Sequence, residues 1–130
     1  MAKIERFEEI EAWKKARELT KAVYRASGSG KLARDFALRD QIRRAATSIM
    51  SNIAEGFERS GNKEFIQFLA TAKGSAGEVK SQLYVALDAE LITQSQFDSL
   101  CGQTQEVSRL LAGFMRYLQN SELRGPKFKP

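Results

Sequence analysis

The feature that most constrains this fold is the absence of proline from almost the whole chain. Both prolines, Pro126 and Pro130, lie near the end of the 130 residues. Proline removes a backbone donor and clashes with the preceding turn, so it kinks or breaks helices. The preceding stretch can therefore form long, uninterrupted helices.

Apolar residues recur at helical spacing in four stretches, and the third is the most regular. Its stripe steps alternately by four and three residues through Phe65, Leu69, Ala72, Ala76, Val79, Leu83 and Ala86. This spacing is typical of a helix packed nearly parallel or antiparallel to its neighbours. No stretch alternates like a half-buried strand. The patterns predict an all-α, antiparallel up-down-up-down four-helix bundle, with helices at about 8–26, 35–59, 63–89 and 94–120.

Turn-forming residues separate the predicted helices. Ser27-Gly28-Ser29-Gly30 ends the first helix, and Ser60-Gly61-Asn62 separates the second from the third, with Asn62 expected as the N-cap. Thr93 and Gln96 match a capping box at the start of the fourth helix.

Length and composition fit one domain, which we place at residues 1–121, followed by a basic tail at 122–130. The chain has one cysteine, Cys101, and no histidine. An internal disulfide is therefore excluded, and zinc and similar metals lack ligands. No apolar run is long enough to span a bilayer, and no leader is evident. We expect a cytoplasmic protein without metal, cofactor or membrane contact.

Beside their core stripes, helices two and three carry a second stripe of small or polar residues. It includes Gln41, Ser48, Asn52, Glu55, Arg59, Ser75, Glu78 and Gln82. Neighbouring helices can use such residues to approach closely and satisfy each other's polar groups. We interpret them as a structural polar network inside or between bundles, centred on Glu55–Arg59 or on Glu78. The disfavoured alternative is a pair of carboxylates for acid–base catalysis. Structural ion-pair networks can resemble catalytic sites, and histidine, the usual proton shuttle, is missing. We expect no catalytic residues and no enzyme activity.

The back of helix three carries small residues in place of charged ones. The strip consists of Ile66, Ala70, Gly74, Gly77, Ser81 and Tyr84. A glycine inside a helix costs about 1 kcal/mol relative to alanine, and close approach of another helix would compensate. The strip predicts contact with a second copy of the chain. The alternative is that these glycines are tolerated surface residues.

Basic residues cluster around the start of helix two. They are Lys31, Arg34, Arg39, Arg43 and Arg44. Arg39 and Arg43 lie one helical turn apart, so their guanidinium groups can bind neighbouring phosphates. The alternative is an ion-paired face, because Asp35 and Asp40 lie among them and Asp40–Arg44 has i,i+4 spacing. No recognised nucleic-acid motif is present. Any binding should therefore depend on the phosphate backbone, on the shape of the nucleic acid or on single strands, and not on contacts with base edges.

The residues from Gln41 to Arg59 resemble the signature of a bacterial four-helix bundle family. The resemblance is carried by Gln41-Ile42-Arg43-Arg44-Ala45, Ser48-Ile49, Asn52-Ile53-Ala54-Glu55-Gly56 and Arg59, and it continues through Phe65, Phe68, Leu69, Ala72, Gly74-Ser75, Glu78 and Gln82-Leu83. The family includes proteins encoded in intervening sequences of bacterial large-subunit ribosomal RNA genes. It also includes the accessory variability determinant (Avd) of diversity-generating retroelements. The proline that the family usually has between its first two helices is missing here.

The resemblance implies a homopentamer of four-helix bundles that forms a barrel. For the retroelement branch, it implies binding of nucleic acid and of a reverse transcriptase through basic surface. We therefore expect an oligomeric, non-enzymatic accessory factor that binds RNA or DNA. The alternative is a protein-only scaffold whose partner is another protein. A symmetric oligomer would multiply the net charge of +5 that each copy carries.

Overall fold

The computed structural model describes residues 4–121, which form five α-helices and no strand. Four of these helices are long: α1 (Glu11–Ala26), α3 (Phe36–Glu58), α4 (Asn62–Asp88) and α5 (Gln94–Ser121). The short helix α2 (Gly30–Arg34) lies between the first two. The all-α prediction is confirmed. The predicted tail at 122–130 lies outside the described residues.

Each long helix packs against two others. Helix α3 lies against α1 and α4, and α5 lies against the same two helices, so α1 and α4 occupy opposite corners of a four-helix arrangement. All seven residues of the stripe predicted for α4 are at most 1% exposed. Burying one large side chain such as Phe65 or Leu69 stabilises the fold by about 1.5–3 kcal/mol. The regular spacing of this stripe therefore places α4 firmly in the core.

Helices α3 and α4 approach each other closely at Gly56. A Cβ atom at this position would lie 2.6 Å from Phe68 Cβ and 2.7 Å from Phe65 Cδ1. Real Cβ atoms do not come this close to other carbon atoms, and a packed core has little room to shift. The glycine that ends the Asn-Ile-Ala-Glu-Gly run is thus explained by the packing of the next helix.

The first helix begins later than predicted, at Glu11 instead of residue 8. Residues Phe7–Glu9 form a separate 3₁₀ turn, and Ile10 then takes an extended conformation with φ −74° and ψ 125°. This break lets Ile10 enter the core, where it is 3% exposed. It also brings the Phe7 ring to 5.2 Å from the Trp13 ring, measured between centroids. Burial of Ile10 and the ring contact of Phe7 therefore stabilise this break more than an N-terminal extension of α1 would.

The prediction of Asn62 as an N-cap is wrong. Gly61 takes that position with a φ of 99°, a conformation that glycine adopts without strain. Asn62 is instead the first residue of α4, and its Nδ2 donates a hydrogen bond of 3.4 Å to the carbonyl oxygen of Leu118. The side chain thus joins α4 to the end of α5.

The predicted capping box at the start of α5 is confirmed. The backbone N–H of Gln96 donates to Thr93 Oγ1 at 3.1 Å, and the backbone N–H of Thr93 donates to Gln96 Oε1 at 2.8 Å. The two side chains therefore satisfy two amides that helix formation leaves without partners.

Helix α2 was not predicted, and it fills the link that lacks the family's proline. Its Leu32 is 1% exposed and joins the core. Asp35 then caps α3, because its Oδ1 accepts a hydrogen bond of 3.1 Å from the backbone N–H of Leu38. No helix within residues 4–121 has the length and hydropathy needed to cross a membrane.

Candidate nucleic-acid interface

The five predicted basic residues meet where α1, α2 and α3 come together. Lys31 and Arg34 belong to α2, while Arg39, Arg43 and Arg44 lie near the start of α3. Helix α2 packs against both α1 and α3. We call these five residues, together with the neighbouring rings of Tyr24 and Phe36, the basic surface.

Arg43 connects the basic surface to the end of α1. Its Nε donates a hydrogen bond of 2.7 Å to Ser27 Oγ, and Nη2 donates one of 3.3 Å to the carbonyl oxygen of Tyr24. The guanidinium carbon also lies 4.4 Å from the centroid of the Tyr24 ring. Carbonyl groups at the end of a helix lack helical partners, and Arg43 supplies one. This side chain therefore has a structural role in addition to its charge.

Arg39 neutralises the carboxylate of Asp40. Its Nε donates to Asp40 Oδ1 at 2.9 Å, and Nη1 donates to the carbonyl oxygen of Ala33 at 3.4 Å. The same guanidinium lies over the Phe36 ring, 4.9 Å from its centroid. The predicted Asp40–Arg44 pair is therefore wrong. The carbonyl of Ala33 and the Phe36 ring already hold Arg39 beside Asp40.

Three residues of the basic surface make neither a side-chain hydrogen bond nor an ion pair among residues 4–121: Lys31, Arg34 and Arg44. All three are exposed. Both nearby carboxylates have local partners, because Asp35 caps α3 and Asp40 contacts Arg39. The positive charge of these three residues is consequently the least compensated part of the basic surface.

Arg44 lies between two open concavities on the outer side of α3. One has a volume of about 580 Å³ and is lined by Tyr24, Asp40, Arg43, Arg44, Thr47, Ser48 and Ser51. The other has a volume of about 310 Å³ and is lined by Gln41, Arg44, Ala45, Ser48, Glu78 and Gln82. Since Arg44 and Ser48 belong to both linings, the two concavities adjoin each other at these residues.

The structure adds two aromatic rings that the sequence analysis did not include. Tyr24 is 46% exposed and Phe36 is 65% exposed. Phe36 lies between Arg34 and Arg39 in the sequence and outside the apolar stripe of its helix. That position was a usable signal, because an aromatic residue among basic residues and away from the core stripe favours a binding surface.

The predicted polar network is partly assembled between α3 and α4. Ser48 Oγ lies 3.0 Å from Ser75 Oγ, and Asn52 Nδ2 donates to the carbonyl oxygen of Ser48 at 2.9 Å. Near the end of α3, Arg59 contacts Glu55 at 2.7 Å and also Glu64 at 3.7 Å. The described contacts therefore form two groups, one around Ser48 between α3 and α4 and one around Arg59 at the end of α3.

Glu78 does not lie at the centre of a network within the bundle. It is exposed and makes no hydrogen bond or ion pair within residues 4–121. Nearby, Gln82 Oε1 is buried without a hydrogen-bond partner among the described residues. Glu78, Gln82 and Gln41 line the smaller concavity together. A network inside the bundle is therefore not centred on Glu78, whereas a Glu78-centred network between bundles stays a prediction.

The strip predicted on the back of α4 is largely exposed at the surface of the single chain. A Cβ atom added at Gly74 or Gly77 would meet no described atom within 4 Å. Ala70 and Ser81 are exposed, and Ile66 is half-buried. Tyr84 is 49% exposed, and its ring lies 4.9 Å from the Phe97 ring of α5, measured between centroids. Cys101 is 8% exposed and packs in the core as a small apolar residue.

The fold and this surface define a class of small, all-α proteins with four long helices and a basic surface at one helix junction. Among residues 4–121, no cluster of His, Cys, Asp or Glu is arranged to hold a metal ion. The chain belongs to the 23S rRNA-intervening sequence protein family, whose model matches residues 8–113. The family resemblance seen in the sequence is thereby confirmed.

The chain is also similar to a solved structure from Bacteroides thetaiotaomicron. That structure is described as a protein with unknown function from the S23 ribosomal protein family. The two chains are 26% identical, with a TM-score of 0.73, and the alignment covers 80% of this chain and 97% of the other. No curated protein matches the chain. The comparisons thus support an all-helical fold and indicate no catalytic family.

Proposed function

We propose that this protein is a non-enzymatic, homo-oligomeric accessory factor that binds RNA or DNA through the basic surface. The observation that supports this most directly is the state of Lys31, Arg34 and Arg44. These side chains are exposed and lack ion pairs within residues 4–121, while both carboxylates nearby have local partners. Exposed Lys and Arg side chains of this kind neutralise phosphates and release counterions, which supplies sequence-independent affinity.

Assembly of several copies would strengthen the binding. Each chain carries a net charge of +5, and copies arranged around one axis would combine their positive fields. The open strip on α4 is the proposed contact between copies, because a second helix could approach Gly74 and Gly77 closely. The homopentameric barrel follows from the family resemblance alone. The cytoplasmic location stays a prediction from the sequence.

The second candidate is a protein-only scaffold without a nucleic-acid role. The α4 strip favours it, since Tyr84 of the strip and its neighbour Val85 are 49% and 52% exposed, and aromatic residues are enriched at protein–protein interfaces. A reverse transcriptase or another protein could then be the partner. A stoichiometric protein partner that copurifies without nucleic acid would favour the scaffold.

The two candidates are separated by measuring the affinity of the intact protein for mixed RNA and for single-stranded DNA at several salt concentrations. Fluorescence anisotropy should show binding at low salt that weakens steeply as salt rises. Replacing Lys31, Arg34 and Arg44 together by Gln should lower the slope of log affinity against log salt by about two for single strands.

A matched control removes the same charge elsewhere. Lys14, Lys63 and Arg116 are exposed and lie outside the basic surface. Replacing these three by Gln should leave most of the slope intact. An intact protein that binds neither probe at low salt would overturn the proposal, as would equal losses in the two triple variants.

A further inference from the structure

Two aromatic rings on the basic surface are exposed where a folded protein usually buries such residues. Tyr24 lies near the end of α1, and Phe36 is the first residue of α3. Leaving a ring such as Phe36 65% exposed forgoes much of the roughly 1.5–3 kcal/mol that full burial provides. The core gains little from these rings, so a contact outside the chain is the natural explanation for Phe36 in particular.

Each ring is held by an arginine. The guanidinium carbon of Arg43 lies 4.4 Å from the Tyr24 centroid, and that of Arg39 lies 4.9 Å from the Phe36 centroid. Both arginines are fixed by hydrogen bonds, Arg43 to Ser27 and Arg39 to Asp40. The rings are therefore oriented before a ligand arrives, which lowers the entropy cost of stacking on them. Tyr24 and Phe36 nevertheless keep 46% and 65% of their residue surface exposed beside these arginines.

The surroundings of the rings select the kind of ligand. Lys31, Arg34 and Arg44 provide charges for phosphates, and Tyr24 and Arg44 line the same concavity. Aromatic rings beside basic side chains bind single strands, because bases stack on the rings while phosphates meet the charges. In a duplex the bases already stack on each other and cannot reach a protein ring. The arrangement consequently favours an unpaired strand.

We propose that Tyr24 and Phe36 are stacking sites for the bases of single-stranded nucleic acid whose backbone contacts Lys31, Arg34 and Arg44. This inference rests on the proposed function and specifies its substrate as unpaired strands with accessible bases. Since every base has an aromatic face, the site would bind many sequences.

The test compares three probes on the intact protein: an oligothymidylate, an abasic strand of equal length and a DNA duplex of equal length. Phe36→Leu removes the ring, and Phe36→Tyr is the matched variant that keeps one. Phe36→Leu should weaken oligothymidylate binding about tenfold while leaving the salt slope, the duplex affinity and the abasic affinity unchanged. Phe36→Tyr should bind like the wild type. Tyr24→Leu and Tyr24→Phe provide a second pair, with thermal unfolding to confirm that each variant is folded.

The outcomes separate this inference from the proposed function. Unchanged oligothymidylate affinity in Phe36→Leu and Tyr24→Leu would overturn the stacking sites, even if the charge variant still lost binding. Equal wild-type affinity for the abasic strand and the oligothymidylate would do the same. A wild-type protein that binds no probe at low salt would overturn the proposed function itself.

Discussion

Arg43 donates a hydrogen bond of 2.7 Å to Ser27, a residue that is completely buried at the end of α1. The Ser27 hydroxyl in turn donates to the carbonyl oxygen of Val23 at 2.6 Å. A basic side chain of α3 is thus connected through one hydroxyl to the final turn of α1. The five basic residues of the surface are therefore not equivalent, because Arg43 is hydrogen-bonded to the end of α1 and Arg44 is exposed without such a bond among residues 4–121.

Arg43 and Arg44 should respond differently to the same substitution. Arg43→Gln removes a charged donor from a buried serine and a helix-end carbonyl, so we expect the free energy of unfolding to fall by about 1–2 kcal/mol. Arg44→Gln should change it by less than about 0.5 kcal/mol, because Arg44 is exposed. Urea unfolding of both variants measures the difference. Equal stability of the two would show that the contact with Ser27 contributes nothing.

Gly56 should not tolerate a methyl group. Alanine is favoured over glycine in helices by about 1 kcal/mol, but a Cβ here would overlap Phe68 and Phe65. We expect Gly56→Ala to destabilise the protein by about 1–3 kcal/mol, as overpacked cores usually do. Gly102 on α5 is the matched control, since a Cβ there meets no described atom within 4 Å, and Gly102→Ala should be neutral or stabilising. A stabilised Gly56→Ala protein would contradict the close approach of α3 and α4.

A bulky side chain on the α4 strip should weaken assembly without unfolding the chain. A Cβ at Gly77 meets no described atom within 4 Å, so the fold has room for a leucine while a helix from a second copy would not. We expect Gly77→Leu to lower the mass measured by light scattering during size exclusion, whereas Gly102→Leu should not. A wild-type protein that elutes as a single chain at micromolar concentration would refute contact through this strip.

The sequence predicted those parts of the structure that depend on long, regular patterns. The α4 stripe from Phe65 to Ala86 extends over about six turns, and the capping box uses two side chains with fixed spacing, so both could be recognised. Helix α2 has only five residues, too few for periodicity to reveal it. The N-cap at Gly61 depends on a positive φ, and glycine within Ser60-Gly61-Asn62 allowed more than one arrangement.

The sequence predicted which basic residues form the candidate site but not the contacts that their side chains make. The clustering of basic residues could be read from their positions, whereas the partner of Asp40 depends on how the Ala33 carbonyl and the Phe36 ring hold Arg39. Tyr24 joins the surface only because the end of α1 packs beside the start of α3. Such contacts between separate helices follow from tertiary packing, which one sequence does not specify residue by residue.

Ultraviolet cross-linking can map directly where nucleic acid touches the protein. The intact wild-type protein is irradiated with a single-stranded oligonucleotide at low salt, and the cross-linked peptides are identified by mass spectrometry. We expect cross-links within the end of α1, α2 and the start of α3, with Tyr24 and Phe36 among the modified residues. Cross-links confined to α4 and α5, or none at a saturating oligonucleotide concentration, would contradict binding through the basic surface.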